Sequence, residues 1–386
     1  MKKPILIVVG TRPDAIKLIP VYKTLKEQGM PVVLCATFQH NHLLKQVFDI
    51  FNITPDIALN VMQPKQDLFY LTTALLNQLK IVIESINPFY VIVQGDTTSS
   101  FCAALAAFYN KIPIAHVEAG LRTGNLYSPF PEEANRKIIS TLATLHFAPT
   151  DANKQSLLHE NINPSSIFTV GNTGIDALLW IEKQLTSQAL TPSDFIQSFI
   201  KKEETAKHKI ILLTVHRRES FGETLINIFS GIAAFLATHD DITIIYPTHP
   251  NPEVQKALHT SALASAKNIT IIDAVAYHDL VSLLLACHWV MTDSGGIQEE
   301  ATSLGKPTII LRQNTERQEA IINGIANLGG TDSNSIQNAM LKLYDTKTIS
   351  LPRSTIYGDG TASKKIAAEI KKYEIVNKAV FTPQCL

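Results

Sequence analysis

Ile5-Leu6-Ile7-Val8-Val9-Gly10-Thr11-Arg12-Pro13 decides how this chain folds. Five apolar, largely β-branched residues in a row read as a strand buried on both faces, the pattern of a parallel sheet rather than of a half-wet antiparallel one. Gly10 ends the run. Pro13 suits the first position of a helix, where its missing N–H costs nothing, leaving Arg12 at the helix mouth. Strand, short turn and helix start are therefore compressed into nine residues.

The same grammar repeats downstream. Strands are expected at residues 5–9, 32–37, 90–94, 114–118, 145–148 and 167–170, with helices at 13–28, 67–86, 97–110, 132–144 and 151–160. After the charged segment 201–209 the pattern restarts, with strands at 210–215, 242–246, 269–272, 289–292 and 308–311, each followed by a helical stretch. Strands alternating with helices make βαβ units and parallel sheets. Two such series imply an α/β chain of two doubly wound, Rossmann-like domains: residues 1–172, rejoined by a C-terminal helix at about 362–386, and residues 173–361. That helix, read most clearly at 362–373, follows Gly358-Asp359-Gly360 and is expected to pack back on the first domain.

A length of 386 residues suits two cores, and 45% hydrophobic with 18% charged residues fits well-buried strands. Formal net charge is zero, which argues against a nucleic-acid partner, since that would need a basic face. The four cysteines (Cys35, Cys102, Cys287, Cys385) lack CxxC spacing, and no His/Cys grouping has zinc-ligand spacing. Reduced, mostly buried thiols are expected, with no metal. The apolar run after Lys2-Lys3 is too short for a signal peptide, and no stretch reaches the roughly 20 apolar residues of a membrane span. The expectation is a soluble cytoplasmic protein with no membrane partner.

In open α/β sheets ligands bind beyond the carboxyl ends of strands, so the residues just after each strand carry the functional reading. Ser294-Gly295-Gly296 follows a strand and opens a helix, where glycines admit a ligand to the backbone and unpaired N–H groups favour an anion such as a diphosphate. A plain tight turn capped by Ser294 is the competing reading. The sequence is neither GxGxxG nor a Walker loop. Glu300, one turn on, suits ribose hydroxyls or simply the helix dipole. Arg12 and Lys17 place two cations at the first helix, for a phosphate or a developing anion, or simply facing solvent. His216 ends a strand among arginines, where it can donate to a phosphate oxygen or transfer a proton near neutral pH. Asp96, Glu118 and Glu132 each sit at a strand end or helix start. Any one alone is often a cap, but three together look like acid/base machinery for a sugar ring.

These residues fall in motifs that resemble one family, the non-hydrolysing UDP-N-acetylglucosamine 2-epimerases. The motifs are Gly10-Thr11-Arg12-Pro13-Asp14-Ala15-Ile16-Lys17, Gly95-Asp96-Thr97-Thr98, His116-Val117-Glu118-Ala119-Gly120-Leu121-Arg122-Thr123-Gly124, Pro131-Glu132-Glu133-Ala134-Asn135-Arg136, His216-Arg217-Arg218-Glu219, Asp293-Ser294-Gly295-Gly296-Ile297-Gln298-Glu299-Glu300 and Thr315-Glu316-Arg317. They run in family order across nearly the whole chain.

The resemblance implies a glycosyltransferase-B-like pair of Rossmann-type domains with the active site in the interdomain cleft, a homodimer, a UDP-sugar substrate and no cofactor. It implies anti elimination of UDP to 2-acetamidoglucal, then return of UDP with C2 reprotonated from the opposite face. Carried over by position, Asp96, Glu118, Glu132 and His216 look like the catalytic set. Arg12, Lys17, Asp96, Glu118, His216, Ser294, Gly295, Gly296, Glu300 and Arg317 look like substrate contacts. Gln39, His40, Gln66 and His249 match parts of a second, activating site known in some members, whereas His42 and Lys65 differ from it.

Asp14 stands where Glu is usual, Gln318 where Pro is usual, and Val275 and Leu280 where a Gln and an aromatic usually flank the uracil. A hydrolysing epimerase, a glycosyltransferase of the same fold and a silent sugar-nucleotide sensor are the rival readings; Pro13 and the complete acidic set favour the reversible epimerase.

Overall fold

The structure is a computed structural model, and it describes residues 3–37, 41–63, 66–346 and 351–380. By packing, the chain divides into two compact units, Met1–Ala177 with Tyr357–Leu386, and Leu178–Ile356.

The first unit holds a seven-stranded sheet: β1 (Ile5–Val9), β2 (Val32–Ala36), β3 (Ile57–Ala58), β4 (Tyr90–Gln94), β5 (Ile114–Val117), β6 (Leu145–Ala148) and β7 (Ile167–Thr169). Its spatial order is β3-β2-β1-β4-β5-β6-β7, with each pairing parallel. Every residue of β1 and β4 is buried, as a strand covered by helices on both faces must be. Leu6, Val8, Val91 and Val93 project into a core closed by Leu75, Leu79 and Ile83 of helix Leu68–Ile86 and Ala103 and Ala107 of helix Thr98–Tyr109. Small residues on the second helix let it lie close to the sheet. The C-terminal helix Ala362–Val380 packs on helix Arg12–Glu27, and its start is fixed by Asp176, whose carboxylate accepts the Ala362 and Ser363 amides.

The second unit holds six parallel strands: β8 (Lys209–Thr214), β9 (Ile242–Pro247), β10 (Ile269–Ile272), β11 (Trp289–Thr292), β12 (Thr308–Ile310) and β13 (Ala326–Leu328), in the order β10-β9-β8-β11-β12-β13. Ile211, Leu213, Ile244 and Met291 meet Phe229, Ile232 and Phe235 of helix Glu223–Leu236 in its core.

The α/β class of two Rossmann-like parallel sheets expected from the sequence is the architecture observed. Each sheet reverses its strand order once, between β1 and β4 in the first unit and between β8 and β11 in the second. Those are the topological switch points, where the carboxyl ends of neighbouring strands part and leave a crevice. Cys35, Cys102 and Cys287 are buried free thiols, as expected; Cys385 lies outside the described residues. Among the described residues, no helix is long and apolar enough to cross a membrane.

Candidate active site

At the first switch point, Thr11 caps helix Arg12–Glu27 and Asp14 completes a capping box with it. The Asp14 carboxylate accepts the amides of Gly10 (3.0 Å) and Thr11 (3.1 Å) and the hydroxyl of Thr97 (3.2 Å), so one buried acid ties the β1 turn to the β4 turn. Burial pushes its pKa up to about 6 against the pull of those hydrogen bonds. Arg12, rather than Pro13 as the sequence suggested, occupies the first position of the helix, because the cap falls at Thr11. Lys17, one turn further on, is committed: its ammonium lies 2.5 Å from Glu118 Oε1.

Glu118 follows β5 with φ at +63°, the left-handed region that non-glycine residues rarely occupy and that concentrates at functional sites. Its second carboxylate oxygen accepts the side-chain amide of Gln94, and Asn172 approaches the first at 3.5 Å. On the neighbouring strand end, the Asp96 carboxylate is gripped by Arg136 through Nε at 2.8 Å and Nη2 at 2.6 Å, while Asn135 donates to the Asp96 carbonyl. Arg136 is also paired with buried Glu133, which accepts the amides of Thr123 and Gly124. This chain of bonds brings the first turn of helix Glu132–Leu142, and with it Glu132, to the sheet edge that carries Asp96. Glu132 begins that helix, and its Oε2 is buried without a hydrogen-bond partner. Below the turn, His116 donates through Nε2 to the Gly95 carbonyl; burial pushes its pKa down to about 3, so the ring stays neutral.

At the second switch point, Asp293 is fully buried after β11, and its carboxylate accepts the backbone amides of His216 (2.9 Å) and Arg217 (2.8 Å), which follow β8. The His216 ring keeps about two-fifths of its surface open and stacks on His249 at 5.2 Å between centroids. Ser294 precedes helix Gly295–Ser303 but makes no side-chain capping bond, which removes the plain-cap reading and leaves its hydroxyl for other work. A Cβ on Gly296 would meet nothing within 4 Å; one on Gly295 would strike the Arg317 guanidinium, at 2.2 Å from Cζ. The helix mouth is therefore open at Gly296 and floored by Arg317 at Gly295.

Arg317 is buried and bonded to Glu299 (2.7 Å) and to Glu316. Arg217, Arg312 and Arg317 together hold the Glu316 carboxyl well below the usual carboxylate range. Glu300 is buried and accepts the Tyr277 hydroxyl at 2.8 Å.

The sequence candidates thus fall into two groups. Arg12, Lys17, Asp96, Glu118 and Glu132 gather at the first unit's switch point, and His216, Ser294, Gly295, Gly296, Glu300 and Arg317 at the second's. Of the activating-site candidates, Gln39 and His40 lie outside the described residues, as do Lys65 and the side chain of His42. Gln66 is taken up by its own loop, accepting from Gln63 N and donating to Met62 Sδ, whereas His249 lies on the face of His216.

Sequence reasoning missed the partners that hold these groups: Gln94, Glu133, Arg136, Asn172, Tyr277, Asp293 and Glu316. Glu133, Arg136, Asp293 and Glu316 stand inside motifs the sequence had already singled out, and Tyr277 lies between Val275 and Leu280. Gln318, in place of the usual Pro, starts a short helix and donates to the Thr315 carbonyl at 2.5 Å.

The family model for UDP-N-acetylglucosamine 2-epimerase matches residues 23–371. The chain is 44% identical over 378 residues to the UDP-N-acetylglucosamine 2-epimerase of Escherichia coli O157:H7, covering 96% of this chain and 99% of that one. Among solved structures it resembles the Neisseria meningitidis UDP-GlcNAc 2-epimerase bound to UDP-GlcNAc, with a TM-score of 0.89 and 40% identity over 96% of this chain and 100% of that one. It also resembles Staphylococcus aureus MnaA in complex with UDP, with a TM-score of 0.88 and 38% identity over 96% of each chain.

Proposed function

Because the chain belongs to the UDP-N-acetylglucosamine 2-epimerase family, we propose that it interconverts UDP-N-acetylglucosamine and UDP-N-acetylmannosamine reversibly, without releasing free sugar. The observation that carries this reading is the pair of separately braced carboxylates on adjacent strand ends, Asp96 on Arg136 and Glu118 on Lys17, at a switch point.

The chemistry explains why such a pair is needed. A C2–H that no carbonyl activates is a poor acid, so departure of the diphosphate must first build positive character at C1. The C1–O bond then breaks, a carboxylate takes the C2 proton, and the products are UDP and 2-acetamidoglucal. Return of the UDP oxygen to C1, with a proton delivered to C2 from the opposite face, completes inversion. Two faces require more than one acid/base group, and Asp96, Glu118, Glu132 and His216 supply them. Ser294, the amides opening helix Gly295–Ser303, Arg12 and Arg317 are assigned to the diphosphate, where preorganised donors each stabilise the departing charge by a few kcal/mol. Glu300 is assigned to the ribose. A proton and a diphosphate move and no hydride does, so no cofactor enters the reading. A homodimer working in the cytoplasm completes it.

The test is purified protein with UDP-N-acetylglucosamine in heavy water, followed by proton NMR. Deuterium at C2 and intact UDP-N-acetylmannosamine are expected. Release of free N-acetylmannosamine would overturn the reversible assignment in favour of a hydrolysing one.

A further inference from the structure

We propose that Gln94 is a positioning residue for this reaction: with Lys17 and Asn172 it clamps both oxygens of the Glu118 carboxylate, fixing its rotation on a backbone that cannot itself fix it. The inference rests on the assignment of Glu118 to the chemistry.

Gln94 is the last residue of β4 and stands opposite Val117 in the β4–β5 register, beside Glu118. It is buried, and its carbonyl accepts the Ser100 hydroxyl at 2.7 Å, so its own backbone is pinned. Its side-chain amide is turned to Glu118 Oε2, while Lys17, from helix Arg12–Glu27, and Asn172, from the loop after β7, approach Oε1. Holding one oxygen would leave the carboxylate free to swing about its last bond; holding both from separate elements does not.

Two neighbouring features point the same way. Glu118 sits at positive φ, and Gly95 lies so close that a Cβ there would stand 3.2 Å from the same Oε2. The glycine thus leaves that oxygen room that a larger residue would take. Glutamine at 94 also matters for its neutrality, because a glutamate of the same shape would set a second negative charge against Glu118.

The experiment compares wild type, Gln94→Met and Gln94→Glu in the epimerase assay across pH, with UDP affinity by calorimetry. Gln94→Met deletes the donor at nearly constant volume. A hydrogen bond to a charged group is worth enough to predict a fall in kcat of about 10- to 100-fold, with KM and UDP affinity near wild type. Gln94→Glu is expected to move the acid limb of the kcat profile upward by about one pH unit or more, as for two carboxylates sharing a site, with activity returning toward alkaline pH. An effect confined to KM, or unmoved kcat and acid limb in the variants, would overturn the proposal. An inactive wild type overturns the parent reading as well; an active wild type with indifferent variants overturns the role of Gln94 alone. Should Gln94→Met fail to fold, the isosteric Gln94→Glu profile decides.

Discussion

Adding one methyl group at each of two consecutive glycines separates the structural and ligand-binding uses of the same helix start. Neither Gly295 nor Gly296 has positive φ, so neither is a glycine for backbone reasons. In Gly295→Ala the new Cβ falls 2.2 Å from Arg317 Cζ, 2.3 Å from Nη1 and 2.6 Å from Nη2, far inside any real contact. The guanidinium must shift, and its bonds to Glu299 and Glu316 are disturbed with it. Glu316 keeps Arg217 and Arg312, whereas buried Glu299 depends on Arg317 for its 2.7 Å bond. Disturbing a hydrogen bond between buried charged groups costs about 1.5–3 kcal/mol, and an alanine in a helix returns about 1 kcal/mol over glycine. A net loss of about 0.5–2 kcal/mol is expected, read as a lower midpoint in urea unfolding.

In Gly296→Ala the Cβ enters open space, so only the propensity gain remains and stability should hold or rise slightly. UDP binding should nevertheless weaken at least tenfold by calorimetry, because the methyl occupies the approach to the helix amides. A Gly296→Ala protein that binds UDP like wild type would refute the assignment of this helix mouth. A Gly295→Ala protein as stable as wild type would refute the account of Arg317.

Asp14 predicts a pH signature. Burial raises its folded-state pKa from 3.8 to about 6, so the folded protein holds this proton more tightly than the unfolded chain. Its contribution is therefore most favourable below pH 4 and is lost as pH rises toward 6, by about 3 kcal/mol at ~1.4 kcal/mol per pH unit. Denaturation curves at pH 4 and pH 7 should show wild type losing most of that amount relative to Asp14→Asn; parallel behaviour of the two proteins would contradict it. Tyr277→Phe removes the donor from Glu300, which should cost about 1–3 kcal/mol of stability. It should also raise the Kd for UDP several-fold while kcat at saturation is spared; an unchanged Kd would separate Glu300 from nucleotide binding.

The central strands were readable because burial on both faces leaves unbroken apolar runs, as in β1, β4 and β8. The edge strands β3 and β13 were not. They are two and three residues long, pair on one side only, and carry no run to recognise. Helix Asn41–Phe51 was likewise passed over.

In the site, position after a strand was enough to pick out Asp96, Glu118 and His216, because the sheet's topology makes those positions special. What the acids are bonded to was not readable. Lys17 and Glu118 are 101 residues apart, and Asn172 and Glu118 are 54 apart, so their meeting is a product of strand order and helix packing rather than of spacing. Lys17 was read as facing a phosphate, a developing anion or solvent, and its bond to Glu118 was not foreseen. The absence of a capping bond from Ser294 is equally a matter of geometry, since the residue type alone favours a cap.

Asp293 has a mechanical consequence. Its carboxylate holds the two amides that carry His216 and Arg217, while the next residue along the chain begins the lead into helix Gly295–Ser303. The backbone beneath the imidazole and the approach to the helix mouth are thereby tied to a common bracket. The hinge left to His216 is its own side chain, so the ring can turn while the strand end that carries it keeps station with the start of the helix.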